Sequence, residues 1–148
     1  MAVSFSNNWK LILDKLESIL ETEFKGALPV YKGNSIPAGV NQAIQLIPTG
    51  STLIEYNSTS ETREFSIEFR FVFNEANVNE TALDHILRQV SRIEALIHDN
   101  AAMTLSDSSN AFNCRFESTE LNADEESNIY VVQWEYKCQL FSLFQQPF

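Results

Sequence analysis

Two histidines, two cysteines and one run of three carboxylates are the side chains of this chain best placed to do chemistry. Their spacing argues against each chemistry in turn. His85 and His98 fall on one predicted helix but thirteen positions apart, too far to share a metal ion. His98 near the helix end is explained by the helix dipole, and His85 by a polar helix face. Cys114 and Cys138 fall on different predicted strands and make no CxxC pair, so both read as small buried apolar residues in a reducing compartment. Asp124-Glu125-Glu126 can offer oxygens to a hard cation, yet lacks the alternating ligands and internal glycine of a calcium loop. It reads as a solvated acidic turn. Four glycines in the whole chain leave no phosphate-cradling loop and no dinucleotide fingerprint, and there is no GxSxG elbow. No catalytic residue, metal ligand or cofactor site emerges, and the chain is not expected to be an enzyme.

The elements that would position a site are more telling. Glu64 to Phe73 alternates almost strictly, with Phe65, Ile67, Phe69, Phe71 and Phe73 on one face and Ser66, Glu68, Arg70 and Val72 on the other. Only an extended chain, with its side-chain period of two, gathers those aromatics on one surface. Asn8 to Phe24 reads as an amphipathic helix carrying Trp9, Ile12, Leu16 and Leu20. Ser6 or Asn7 caps its start, and Gly26 suits its end. A second helix over Thr81 to His98 is expected to bury Leu83, Ile86, Leu87, Val90, Ile93, Leu96 and Ile97 behind a cap at Asn79 or Thr81. Strands are expected over Gln42 to Ile47, Thr52 to Tyr56, Asn110 to Leu121 and Ile129 to Phe141, with an extra short one within Leu28 to Lys32. Pro48-Thr-Gly50 reads as a turn between the first two. Phe112, Cys114 and Phe116 are expected on one side of their strand. The order α-β-β-β-α-β-β implies a single α+β domain over residues 1–148, a mainly antiparallel sheet with two amphipathic helices packed on one face.

Composition narrows function by exclusion. Twenty acidic against ten basic residues give a formal charge of −10, a field that repels nucleic-acid phosphates and disfavours sequence-reading of DNA or RNA. No apolar run approaches the roughly 18 residues of a membrane span. The start, Met-Ala-Val-Ser-Phe-Ser, has no basic region or cleavage site, so a soluble, non-secreted chain is expected. The long strands outrun what two helices cover, and the chain closes on the apolar stretch Phe141-Ser-Leu-Phe-Gln-Gln-Pro-Phe148. Such features suit docking, on the body of the chain or on a neighbour.

The sequence of elements across nearly the whole chain resembles the tail terminator (tail completion, or neck) proteins of tailed bacteriophages. The resemblance is carried by the opening helix with Trp9 and Leu16, the Glu64 to Phe73 strand and the helix segment Leu83-Asp-His-Ile-Leu-Arg-Gln-Val-Ser-Arg-Ile93. The closing pair Phe112 to Leu121 and Tyr130 to Leu140 completes it. It implies a structural virion protein of the neck or tail, assembled in the host cytoplasm. Such a protein forms a self-associated ring, a hexamer in this family, that ends the tail tube and joins it to the head connector. An acidic lumen would let DNA pass without sequence-specific binding. Ser66, Glu68, Arg70, Val72, Ile36, Phe144 and Phe148 are then the candidate subunit or tube interface. Asn34 and Ser35, with Ser58, Thr59 and Ser60, are the candidate tube-contacting loops. No cofactor and no membrane partner is implied. Two alternatives are another head-tail connector or tail-associated structural protein, and a small α+β domain binding an apolar ligand on its Phe-lined sheet.

Overall fold

Helix α1 (Asn8–Phe24) starts where the Asn7 side chain accepts the backbone N–H of Lys10, satisfying a donor that the first helical turn leaves open. It stops at Lys25, itself left-handed at φ 51°, followed by Gly26 at φ 81°. The computed structural model describes residues 5–75 and 77–143. After α1 come β1 (Val30–Lys32), β2 (Gln42–Tyr56), β3 (Ser60–Phe73), α2 (Glu80–Asp99), β4 (Met103–Thr104), β5 (Asn110–Asp124) and β6 (Ile129–Leu143). Asn79 caps α2 by accepting from the N–H of Ala82.

The strands form one six-stranded sheet in the order β1-β2-β3-β6-β5-β4. Every pairing is antiparallel except β1 with β2, so the fold is α+β with a mixed, mainly antiparallel sheet. The parallel β1 is the short early strand, and β4 adds a two-residue strand beyond the expected order.

Both helices lie on the sheet face that carries the alternating aromatics. Directly opposed residues share a face, so Leu46, Phe69, Trp134 and Thr119 form one row across β2, β3, β6 and β5. The neighbouring row holds Ile44, Phe71, Val132 and Leu121. Ile12, Leu16 and Leu20 of α1 and Ile86, Val90, Ile93 and Ile97 of α2 close over these rows in one core. Phe69 meets Phe116 and Tyr136 at 5.0 Å between ring centroids, and Phe116 stacks on Trp134 at 5.2 Å. Trp9 seals the end of the stripe, edge-on to Phe65 at 4.7 Å. Arg92 ties the helices together: its guanidinium donates to the Glu23 carboxylate and carbonyl, each at 2.9 Å, and lies over the Phe24 ring.

Three expectations change. The strands Gln42 to Ile47 and Thr52 to Tyr56 are one strand, because a bulge between Pro48 and Gly50 absorbs the expected turn. Pro48 is tolerated there since β1 ends opposite Leu46, leaving the rest of β2 at an edge. Phe112 does not share a face with Cys114 and Phe116. A register shift between Phe112 and Arg115, with Asn113 at φ 53°, turns Phe112 to the helix-free face, where it pairs with Gln139. Leu83 and Leu87 leave the buried stripe of α2 and stand 37% and 42% exposed.

Candidate functional site

The helix-free face of the sheet holds the polar partners of the aromatics. Glu64, Ser66, Glu68, Arg70 and Val72 of β3 stand beside Gln139, Lys137, Glu135, Gln133 and Val131 of β6 respectively. No helix covers them; most are half-buried, with Val131 buried and Glu135 exposed. Two charge patterns divide this surface.

Near the β2–β3 tip, Glu64 is a hub. One carboxylate oxygen accepts from Arg115 Nη2 at 3.0 Å and Gln139 Nε2 at 3.1 Å, while the other lies 3.8 Å from Lys137 Nζ. Glu117 and Glu135 complete the network around Lys137. The Gln139 amide, then the Arg115 guanidinium and the Lys137 ammonium, hold the Glu64 carboxyl below the ordinary glutamate range, against the opposing effect of burial.

Further along, Glu68 and Glu135 sit directly opposite each other, a like-charge cross-strand pair that costs stability. Gln133 offsets part of that cost by donating to Glu68 at 3.2 Å, and Lys137 lies 3.4 Å from Glu135. Glu68, Gln133 and Glu135, with Glu120 and Thr49, line an open groove of about 280 Å³. Across the centre of the face, Glu64, Glu68, Glu117, Glu120 and Glu135 stand against Arg70, Arg115 and Lys137. The surface is mildly acidic and internally compensated, not uniformly negative. Arg70 Nε is buried without a hydrogen-bond partner among the described residues.

Of the candidate interface residues, Ser66, Glu68, Arg70 and Val72 share this face as the alternation requires. Ile36 joins Val72 in an apolar pocket closed by Pro37, Val40, Ala43 and Ile129. The loop after β1 is folded back there, with Gly33 N–H bonded to the Leu46 carbonyl and Gln45 Nε2 3.4 Å from the Gly33 carbonyl. Phe144 and Phe148 lie outside the described residues. Asn34 and Ser35 are exposed, as are Ser58 and Thr59, but Ser60 is buried. Ser60 belongs to β3, not to the loop: Asn57 Oδ1 accepts from the N–H and hydroxyl groups of both Thr59 and Ser60, folding the tip tightly inward. The two loops are not neighbours either. Gly33 sits at the Leu46–Phe69 row and the other tip beside Ser60, nine residues or about 30 Å apart along β3.

The residues of conventional chemistry stay apart from this face or inside the core. Among the described residues no three of His, Cys, Asp and Glu converge as metal ligands. His85 approaches Gln42 at 3.3 Å on the exposed flank of α2. Cys114 and Cys138 are free thiols buried on the helix side of β5 and β6, brought together by the β5 bulge. The hydrogen bond shared with Cys114 and the apolar surroundings push the Cys138 thiol far up. Native protein is therefore expected to leave both thiols unreactive toward an aromatic disulfide reagent, with both titrating in guanidinium. Prompt reaction of either thiol in the folded protein would contradict this packing. No helix among the described residues is long and apolar enough to cross a membrane.

Sequence reasoning missed the Glu64 hub and the exposure of Leu53, Ile54 and Tyr56 on β2. Those three are 45%, 50% and 66% exposed, while Phe141 and Leu143 of β6, in the closing stretch expected to suit docking, are 51% and 70% exposed on the far side of β3 from them.

Neither a protein-family model nor a curated protein sequence matches this chain. Solved structures do. A chain from the virion of a native gene transfer agent particle superposes with a TM-score of 0.53 at 9% identity, covering 86% of this chain and 84% of that one. A second solved chain, with no function in its name, superposes with a TM-score of 0.61 at 14% identity, covering 97% of this chain and all of that one. At these identities the likeness establishes a shared fold.

Proposed function

We propose that this chain is a non-catalytic structural protein of a tailed-phage-like particle. In this reading copies assemble into a ring, a hexamer as in the tail terminators it resembles, that ends the tail tube and meets the head connector. It resides in the neck or tail of the virion after assembly in the host cytoplasm. The observation that carries the reading is the likeness, over more than four fifths of both chains, to a chain of a gene transfer agent virion.

The geometry supplies physical support. The helix-free face is the broad surface left without cover, and it keeps the opposed Glu68–Glu135 pair despite its cost. Turned toward a lumen, that acidic groove would weaken the adhesion of passing DNA, while the compensated Glu64 network keeps the wall rigid. In this reading the two exposed loops, about 30 Å apart along β3, reach opposite ends of the ring, one toward the tube and the other toward the connector.

The test is size-exclusion chromatography with light scattering, followed by negative-stain imaging of the purified chain. A closed ring with an open centre is expected. A monomer at every concentration would overturn the reading.

A further inference from the structure

Two groups of exposed large apolar residues lie on opposite flanks of the sheet. On the β2 flank, Leu53 and Ile54 stand 45% and 50% exposed on the part of the strand that β1 does not reach. On the β5 flank stand Leu83 and Leu87 of α2 and Leu121 of β5, exposed by 37%, 42% and 45%.

Helical spacing fixes where Leu83 and Leu87 point. His85 and Arg92, seven residues apart, face β2 and α1 through Gln42 and Glu23. Glu94 faces β5, accepting from the Thr119 hydroxyl at 3.3 Å. Leu87 lies two turns before Glu94, and Leu83 one turn earlier, so both project along the β5 side. Leu121, two residues beyond Thr119, lies on the helix-bearing face at the same side. β4 covers β5 only at Asn110 and Ala111, which leaves this flank open.

We propose that the Leu53–Ile54 arm of one copy docks on the Leu83–Leu87–Leu121 flank of the next, so that copies join head to tail. This rests on the ring reading above and names the contact that would build it. Self-pairing of either patch about a two-fold axis would cover one and leave the other bare. A single arm-to-flank contact covers both, and a repeated heterologous contact is what generates a ring. The rims offer one opposite-charge contact, Glu55 to Arg88, although Glu80 and Asp84 of the same helix are acidic. Glu55 follows Ile54, and Arg88 follows Leu87, held only by an exposed i,i+4 pair with Asp84. β2 carries Pro48 and bulges at Pro48/Gly50 and Leu53/Glu55, so the apolar side chains carry the contact rather than a continued strand ladder. Leu53 pairs with Arg63 and Leu121 lies in the row of Phe71, eight residues or about 26 Å further along β3. A closed ring built on this contact therefore inclines its strands to the ring axis.

The test uses Ile54→Asp and Leu87→Asp in the full chain, each at an exposed position, with circular dichroism and thermal melting to confirm the native fold. Each variant alone is expected to lose the assembled peak in light scattering. An equal mixture is expected to give a 1:1 dimer, because one intact arm and one intact flank remain. A wild-type ring that both variants also form would remove this contact and leave the ring reading standing. Two monomeric variants that fail to pair when mixed would likewise remove it. A wild-type chain that never assembles would remove both.

Discussion

Phe69→Ala is expected to lower the unfolding free energy by about 3–5 kcal/mol, the range for deleting a fully buried phenylalanine side chain. Phe69 is 0% exposed and occupies the row between Leu46 and Trp134, with the Phe116 and Tyr136 rings each at 5.0 Å. Alanine removes the transfer energy of the ring and also opens a cavity that this sheet is poorly placed to close. The strands on either side pair with β3 without a register shift from Ile67 to Phe73, and Ile86, Val90 and Ile93 belong to a helix that cannot sink without losing its neighbours. Phe112→Ala is the control. Its ring lies on the opposite face and is 38% exposed, so a cost below about 1 kcal/mol is expected. Guanidinium denaturation of the two variants beside wild type measures the difference. Equal costs would mean that the face assignment of β3 and the β5 bulge is wrong.

That pair of substitutions also marks where the sequence was legible. Phe69 falls in a run whose period of two holds over nine residues, so its face followed from alternation alone. Phe112 sits three residues before Arg115 in a segment that alternates equally well on paper. What moves it is the bulge, a backbone event at Asn113 that no side-chain pattern announces. The same physics joined two expected strands at Pro48. A Pro-x-Gly reads as a turn, but an edge strand tolerates a missing donor and a bulge absorbs the extra residue. Leu83 and Leu87 fit the helical period and yet are exposed. Period identifies a stripe but not its width, and in α2 the buried stripe is only Ile86, Val90, Ile93 and Ile97. For the candidate site, alternation placed Ser66, Glu68, Arg70 and Val72 together on the correct face. It could not reveal Glu64 as the hub of that face, because its partners Arg115 and Gln139 lie 51 and 75 residues away along the chain.

Glu64→Gln is expected to cost about 1–2 kcal/mol at neutral pH, the scale of charge-assisted hydrogen bonds lost from a half-buried network. The amide keeps one acceptor for Arg115 or Gln139 but no charge to balance Arg115 and Lys137. The pH dependence identifies the mechanism. In the folded chain the Glu64 carboxyl is held below its ordinary value by Gln139 first and then by the two cations, so near that value the unfolded chain binds more protons. Stability from this group is therefore complete above the unfolded pKa of about 4.3 and is lost as pH falls through the lower folded value. Wild type and variant should differ fully at pH 7 and converge in strong acid, where the wild-type carboxyl is itself neutral. Urea midpoints measured from pH 7 down to pH 2.5 test this. A gap that stays constant across the series would show that the glutamine disturbs packing rather than charge. If it closes on acidification, the Glu64 carboxylate is the charge that holds β3, β5 and β6 in register on the helix-free face, the surface proposed to line the channel.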